Sequence, residues 1–109
     1  MQSTEIICRI VGYDLSKVTT DSRLKEVSVG SWAGLTTQEI KSSWPELIEN
    51  ANNYNWYFHS PDGESYDSVV NRGSEWLDSI RDKKKVIAVS HGLTGRIIRG
   101  TYQNLKHFL

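Results

Sequence analysis

A chain of 109 residues holds one domain at most, and 13 Lys plus Arg against 13 Asp plus Glu leave no net charge for a nucleic-acid surface or an acidic tail. The single cysteine, Cys8, excludes an intrachain disulfide and fits a reducing compartment. No run approaches the ~18 apolar residues of a membrane span, and Met1 is followed by no signal-peptide pattern, so a soluble, cytoplasmic chain without a membrane partner is expected.

Thr4 to Val11 reads as a short amphipathic helix, with Ile6, Ile7, Ile10 and Val11 on one side and Gly12 placed to stop it. Lys17-Val18-Thr19-Thr20, rich in β-branched residues, predicts a short strand. Asp21 to Gly34 has loop character, punctuated by Gly30 and Gly34 with Trp32 between them. Thr36-Thr37-Gln38-Glu39 then matches a capping box, Thr at the N-cap and Glu three residues on. The helix it opens should end near Ser43, because Trp44 precedes proline and is biased away from helical angles. Pro45 suits the first position of another short helix, through Leu47 and Ile48.

Asn50 to Gly63 is a long Asn- and aromatic-rich segment, either a substrate-facing lid or a wandering loop. Ser65 to Arg81 carries the clearest helical pattern: Tyr66, Val69, Val70, Gly73, Trp76, Leu77 and Ile80 fall on one face. Gly73 in that stripe would let the helix approach a sheet closely. Lys83 to Lys85 reads as a solvated turn. Val86-Ile87-Ala88-Val89 predicts a buried parallel strand that ends abruptly at Ser90-His91-Gly92. A helix follows, with Ile97, Ile98 and Tyr102 on one side and Arg96 and Arg99 flanking. Free N–H groups at its start favour an anion, and a histidine held there is placed for phosphate.

These elements predict an α/β fold with an incomplete sheet. A strand apolar on both faces is normally central, with neighbours on both edges and helices above and below. The sequence offers at most one neighbour, the stretch at Val18.

Three features share the candidate chemistry. They are Ser90-His91-Gly92; Arg23-Leu24-Lys25-Glu26 with Gly30, Trp32 and Gly34; and Pro61-Asp62-Gly63-Glu64-Ser65. In this order and spacing, together with Gln2-Ser3-Thr4-Glu5-Ile6-Ile7 and Arg72, they make the chain resemble the histidine phosphatase superfamily, the phosphoglycerate-mutase-like enzymes. The resemblance implies a partial three-layer fold, a parallel sheet with helices, lacking the first and last strands.

It also implies roles. In this family a histidine near the N-terminus accepts the phosphoryl group, which splits the transfer into two easier steps. His91 matches the second histidine, which binds and stabilises the transferring phosphoryl group, and Glu26 matches the acid that protonates the leaving oxygen. Gly92 and Arg23 are the matching substrate-binding positions, while Glu64 and Arg72 match supports of the site loop and the long helix. The segment after Glu26, Val27-Ser28-Val29-Gly30-Ser31-Trp32, resembles the phosphatase branches more than the glycolytic mutases.

The nucleophilic Arg-His-Gly motif is missing, and neither His59 nor His107 has that context. The expectation is therefore a family domain truncated at both ends and inactive alone. Its partner would be a small phosphorylated molecule or inorganic phosphate, and a homo-oligomer would form through the open sheet edge. Two readings compete with it: a non-catalytic anion-binding or interaction module, and a fragment of the mutase lineage. No cofactor is implied, and three scattered histidines with one cysteine give no metal-ligand spacing.

Overall fold

Every regular element among the described residues is helical. The computed structural model describes residues 1–53 and 55–107, without the side chains of residues 104–107; Tyr54 and the side chain of His107 therefore lie outside the described residues. Helix α1 spans Gln2–Val11, α2 Thr37–Ser43, α3 Pro45–Ile48, α4 Tyr66–Ser79 and α5 Gly92–His107. Short 3₁₀ turns at Leu15–Lys17, Ser22–Leu24, Gly30–Trp32 and Trp56–His59 punctuate the connections. Among the described residues, no helix is long and apolar enough to cross a membrane.

Local chemistry sets the helix ends. α1 stops at Gly12, whose φ of 76° is the left-handed C-cap conformation that glycine adopts without a Cβ penalty. At α2 the Thr36 hydroxyl accepts from the Glu39 N–H at 3.1 Å, and the Glu39 carboxylate accepts from the Thr36 N–H at 3.1 Å. Trp44 leaves helical angles (φ −131°, ψ 55°) and Pro45 opens α3 at its first position, where a missing N–H costs nothing. Thr36→Ala removes one half of the reciprocal cap and is expected to cost about 1 kcal/mol, read as a lower urea midpoint at unchanged slope.

The α/β expectation is overturned. Neither Val86–Val89 nor Lys17–Thr20 belongs to a ladder: residues 84–90 run outside any regular element, and the second stretch begins as the end of a 3₁₀ turn capped by Asp14. The strand expected to be buried is instead exposed, with Ile87 at 72%. The physical reason is the want of a partner: Lys17–Thr20, the neighbour expected, spends the Lys17 and Val18 amides on Asp14 O and Leu15 O in its own 3₁₀ turn. The segment tied to Ser90 has three successive carbonyls held by side chains. Arg72 Nη1 donates to Arg23 O at 2.7 Å, Ser90 Oγ to Leu24 O at 2.6 Å, and Thr94 Oγ1 to Lys25 O at 2.7 Å. Among the described residues no sheet forms.

What replaces the sheet as the centre of the molecule is the α4–α5 pair. Gly73 serves a close approach, but to a helix: a Cβ built on it would lie 3.0 Å from Ile98 Cγ1. Val27, Val69 and Ile97 form the buried cluster, with Phe58, Val70 and Leu93 packed on it. The core thus sits between α4, α5 and the segment leading to Val27. A second apolar nucleus surrounds Trp32, which is 1% exposed. Its ring stands 6.0 Å from Trp44 and 6.5 Å from Trp56. The aromatic run continues through Tyr57 and Phe58 to Tyr66 at the start of α4. The long segment before α4 is therefore packed through its rings over Trp56–Phe58.

Candidate functional site

The start of α5 is where most of the candidate residues meet. His91 precedes the helix; its carbonyl accepts from the Gly95 N–H at 2.7 Å, closing the first turn, and its residue is exposed. Gly92 is the first helical residue, with open space where a Cβ would stand. The free amides behind them are not vacant. Glu26 Oε1 accepts from the Thr94 N–H at 3.0 Å and from Thr94 Oγ1 at 3.1 Å, while Oε2 accepts from the Leu93 N–H at 3.3 Å. Oε1 also accepts from the Val27 N–H at 2.9 Å.

A carboxylate at a helix N-terminus meets both the unpaired N–H groups and the positive end of the macrodipole. Partial burial pushes the Glu26 carboxyl up. The hydrogen bonds from the Val27, Thr94 and Leu93 amides and the Thr94 hydroxyl together outweigh it and hold the group below its ordinary value. Glu26 is therefore ionised at neutral pH. In this arrangement it accepts protons' hydrogen bonds rather than offering a proton, and it occupies amides that an incoming anion would need.

The remaining candidates form a brace one step away. Arg72 grips Glu64 through two parallel bonds, Nε to Oε2 and Nη2 to Oε1, both 2.9 Å. Such forked pairing fixes geometry as well as charge. Glu64 Oε1 also accepts from the Ser28 N–H at 2.9 Å, and the Glu64 N–H donates to Ser28 O at 2.8 Å. The Arg72 bonds lead in holding the Glu64 carboxyl below its ordinary value, against the opposing effect of burial. Arg23 contributes its carbonyl to this brace. Its guanidinium is held by Asp21 at 2.9 and 2.6 Å and reaches Ser79 Oγ at 3.3 Å. The Arg23 side chain and N–H in turn bring the Asp21 carboxyl down to about 2.

All six candidate residues thus attach to one short stretch, residues 23–28, or to the α5 start it touches. Thr94 is the residue at this helix start that sequence reasoning missed. It is fully buried and bonds both Lys25 O and Glu26. A hydroxyl residue in the first turn of a helix that follows Ser-His-Gly was the available signal. Asp62, which the sequence marks only as part of a motif, braces the Gly30 turn by accepting from the Ser31 N–H at 3.0 Å and Ser31 Oγ at 2.9 Å. Among the described residues, no three His, Cys, Asp or Glu side chains converge as a metal site.

Comparison with known proteins decides the family. The histidine phosphatase superfamily (branch 1) matches residues 1–107. The chain belongs to the histidine phosphatase superfamily. Within the curated relatives of this histidine phosphatase domain, a Saccharomyces cerevisiae protein named 6-phosphofructo-2-kinase 1 is 32% identical over 86 residues, covering 76% of this chain and 10% of its own length. The Caenorhabditis elegans 6-phosphofructo-2-kinase/fructose-2,6-bisphosphatase is 29% identical over 68 residues, 62% of this chain and 15% of its own length. The Bos taurus 6-phosphofructo-2-kinase/fructose-2,6-bisphosphatase 3 gives the same identity and coverage. The domain therefore spans 10 to 15% of the length of these relatives. No solved structure gives a significant match.

Proposed function

We propose that this domain binds small phosphate monoesters of the sugar-bisphosphate kind at the His91 end of α5, and that the 109-residue chain by itself does not turn them over. Support for the ligand class comes from the family and from two relatives whose names include fructose-2,6-bisphosphatase. The observation that carries the site is an exposed His91 beside Gly92 at the start of α5, with open space where a Gly92 Cβ would stand; Glu26 must give up the Leu93 and Thr94 amides before an anion can reach them. Support for silence comes from residue content. A phosphoryl-accepting histidine in an Arg-His-Gly motif does not occur in the 109 residues. The proton-donor role of Glu26 needs a further change, since the carboxylate must first leave the Leu93 and Thr94 amides and take up a proton. A cytoplasmic location fits the single, buried and unpaired Cys8.

The test uses fructose 2,6-bisphosphate carrying a radiolabelled 2-phosphate. Saturable shifts of the His91, Gly92 and Leu93 amide resonances are expected, abolished in His91→Ala, with no acid-labile phosphohistidine on the chain. Appearance of phosphohistidine would overturn the silence, and the absence of saturable shifts would overturn the ligand class.

A further inference from the structure

Thr94 is fully buried, yet it carries a hydroxyl. A buried polar group is held by what it bonds, and here the side-chain and amide bonds lead to one carboxylate and to the residue before it. Thr94 Oγ1 donates to Lys25 O at 2.7 Å and stands 3.1 Å from Glu26 Oε1, while the Thr94 N–H donates to the same Oε1 at 3.0 Å. A hydroxyl has one proton to give, and the shorter contact makes Lys25 O its principal acceptor. Its first effect is therefore on the backbone: it fastens the peptide just before Glu26 to the first turn of α5. The glutamate then has only to fold back for its carboxylate to meet the Thr94 amide.

The grip on that carboxylate is uneven. Oε1 accepts from the Val27 and Thr94 amides at 2.9 and 3.0 Å, whereas Oε2 accepts from the Leu93 N–H at 3.3 Å. Glu26 is also an exposed residue, so the carboxylate has an open path into water. A closed form, with Glu26 on the amides, and a released form thus differ by a few hydrogen bonds. Whatever favours the closed form weakens every anion that needs the same amides. The apparent dissociation constant is the intrinsic one divided by the released fraction.

Resting on the phosphate reading above, we propose that Thr94 is a positioning residue that holds Glu26 closed on the α5 start and so sets how strongly that site takes a phosphate. The buried hydroxyl acts through Glu26 rather than on the ligand. The expected sign is therefore opposite to that of a ligand-binding group: loss of the hydroxyl strengthens phosphate binding. Thr94→Val separates this role from the charge of Glu26, because the carboxylate stays in place. Lys25 is exposed, so water can take the freed carbonyl and the fold tolerates the change.

The test titrates inorganic phosphate into the parent chain, Thr94→Val, Thr94→Ser and Glu26→Ala, following the Gly92 and Leu93 amide resonances, with far-UV circular dichroism as the check on folding. The dissociation constant is expected to fall about three- to tenfold in Thr94→Val, the worth of about one hydrogen bond. It should return to the parent value in Thr94→Ser and fall further in Glu26→Ala, where nothing closes the site. Without phosphate, the Glu26 carboxyl followed by carbon NMR should titrate at a higher pH in Thr94→Val, since a bond favouring its ionised form is lost. The charged and titratable groups around it, Lys25, His91 and the Glu64–Arg72 pair, are the same in both chains. Equal or weaker phosphate binding in Thr94→Val overturns the positioning role and leaves the site standing. A gain confined to Glu26→Ala overturns it too, reducing Glu26 to a repelling charge. Absence of saturable binding in every chain overturns the phosphate site itself, and the role of Thr94 with it.

Discussion

Trp32→Ala is expected to lower the unfolding free energy by about 3–5 kcal/mol, the range for removing a buried large aromatic side chain. Trp32 is 1% exposed and stands between Trp44, at the junction of α2 and α3, and Trp56, in the 3₁₀ turn before α4. Its loss therefore opens a cavity that separates two parts of the chain and weakens both aromatic contacts. Trp32→Phe should behave very differently. The Trp32 Nε1–H is buried and has no hydrogen-bond partner among the described residues. An unsatisfied buried donor costs about 1–3 kcal/mol, so a phenyl ring offsets its smaller volume by removing that donor. Urea unfolding followed by far-UV circular dichroism gives both values. Equal losses in the two variants would show that Trp32 is not packed as described.

Arg72→Ala has the next largest expected effect. It strands the Glu64 carboxylate, whose side chain is 16% exposed, and frees the Arg23 carbonyl. Breaking a buried pair costs about 3–5 kcal/mol; the residual exposure of both partners brings this to about 2–3 kcal/mol. Arg72→Lys should recover little, because an ammonium cannot supply the fork that meets both oxygens. The same pair sets an acid limb of stability. Arg72 holds the folded-state value of Glu64 below its unfolded one, so near that range the unfolded chain binds more protons. The stabilisation is complete above the ordinary glutamate value of 4.5 and is lost as the pH falls through the lower folded value. Glu26 acts in the same direction. Urea midpoints measured down the acid range should fall for the parent chain and fall less steeply for Arg72→Ala. A parallel decline in both would deny the Glu64 contribution.

Helix ends were the legible part of the fold because their determinants are local. The Thr36–Glu39 box, Gly12 after α1, and Pro45 at the head of α3 each act over three or four residues. The fate of Val86–Val89 was not local. An apolar β-branched run becomes a strand only if a neighbour offers free carbonyls and amides, and the neighbour expected, Lys17–Thr20, turns its first amides into a 3₁₀ turn instead. Gly73 shows the same boundary: its need for a close neighbour was readable, but whether that neighbour was a sheet or Ile98 was not. In the site, residue types and order pointed to Glu26, Glu64, Arg72 and His91. The state of Glu26 depends on amides contributed from α5, sixty-odd residues away in sequence, and no local pattern announces them.

The three side-chain clasps on Arg23, Leu24 and Lys25 also bear on how this chain tolerates sequence drift. In a ladder, backbone pairs with backbone, so nearly any residue except proline can stand at a rung without breaking it. Here each rung depends on the functional group of a particular side chain: a guanidinium, a hydroxyl and a second hydroxyl. Substitutions in the clasped stretch itself leave its carbonyls in place, whereas a change at Arg72, Ser90 or Thr94 deletes a rung outright. The burden of inheritance has moved from the segment being held to the distant residues that hold it.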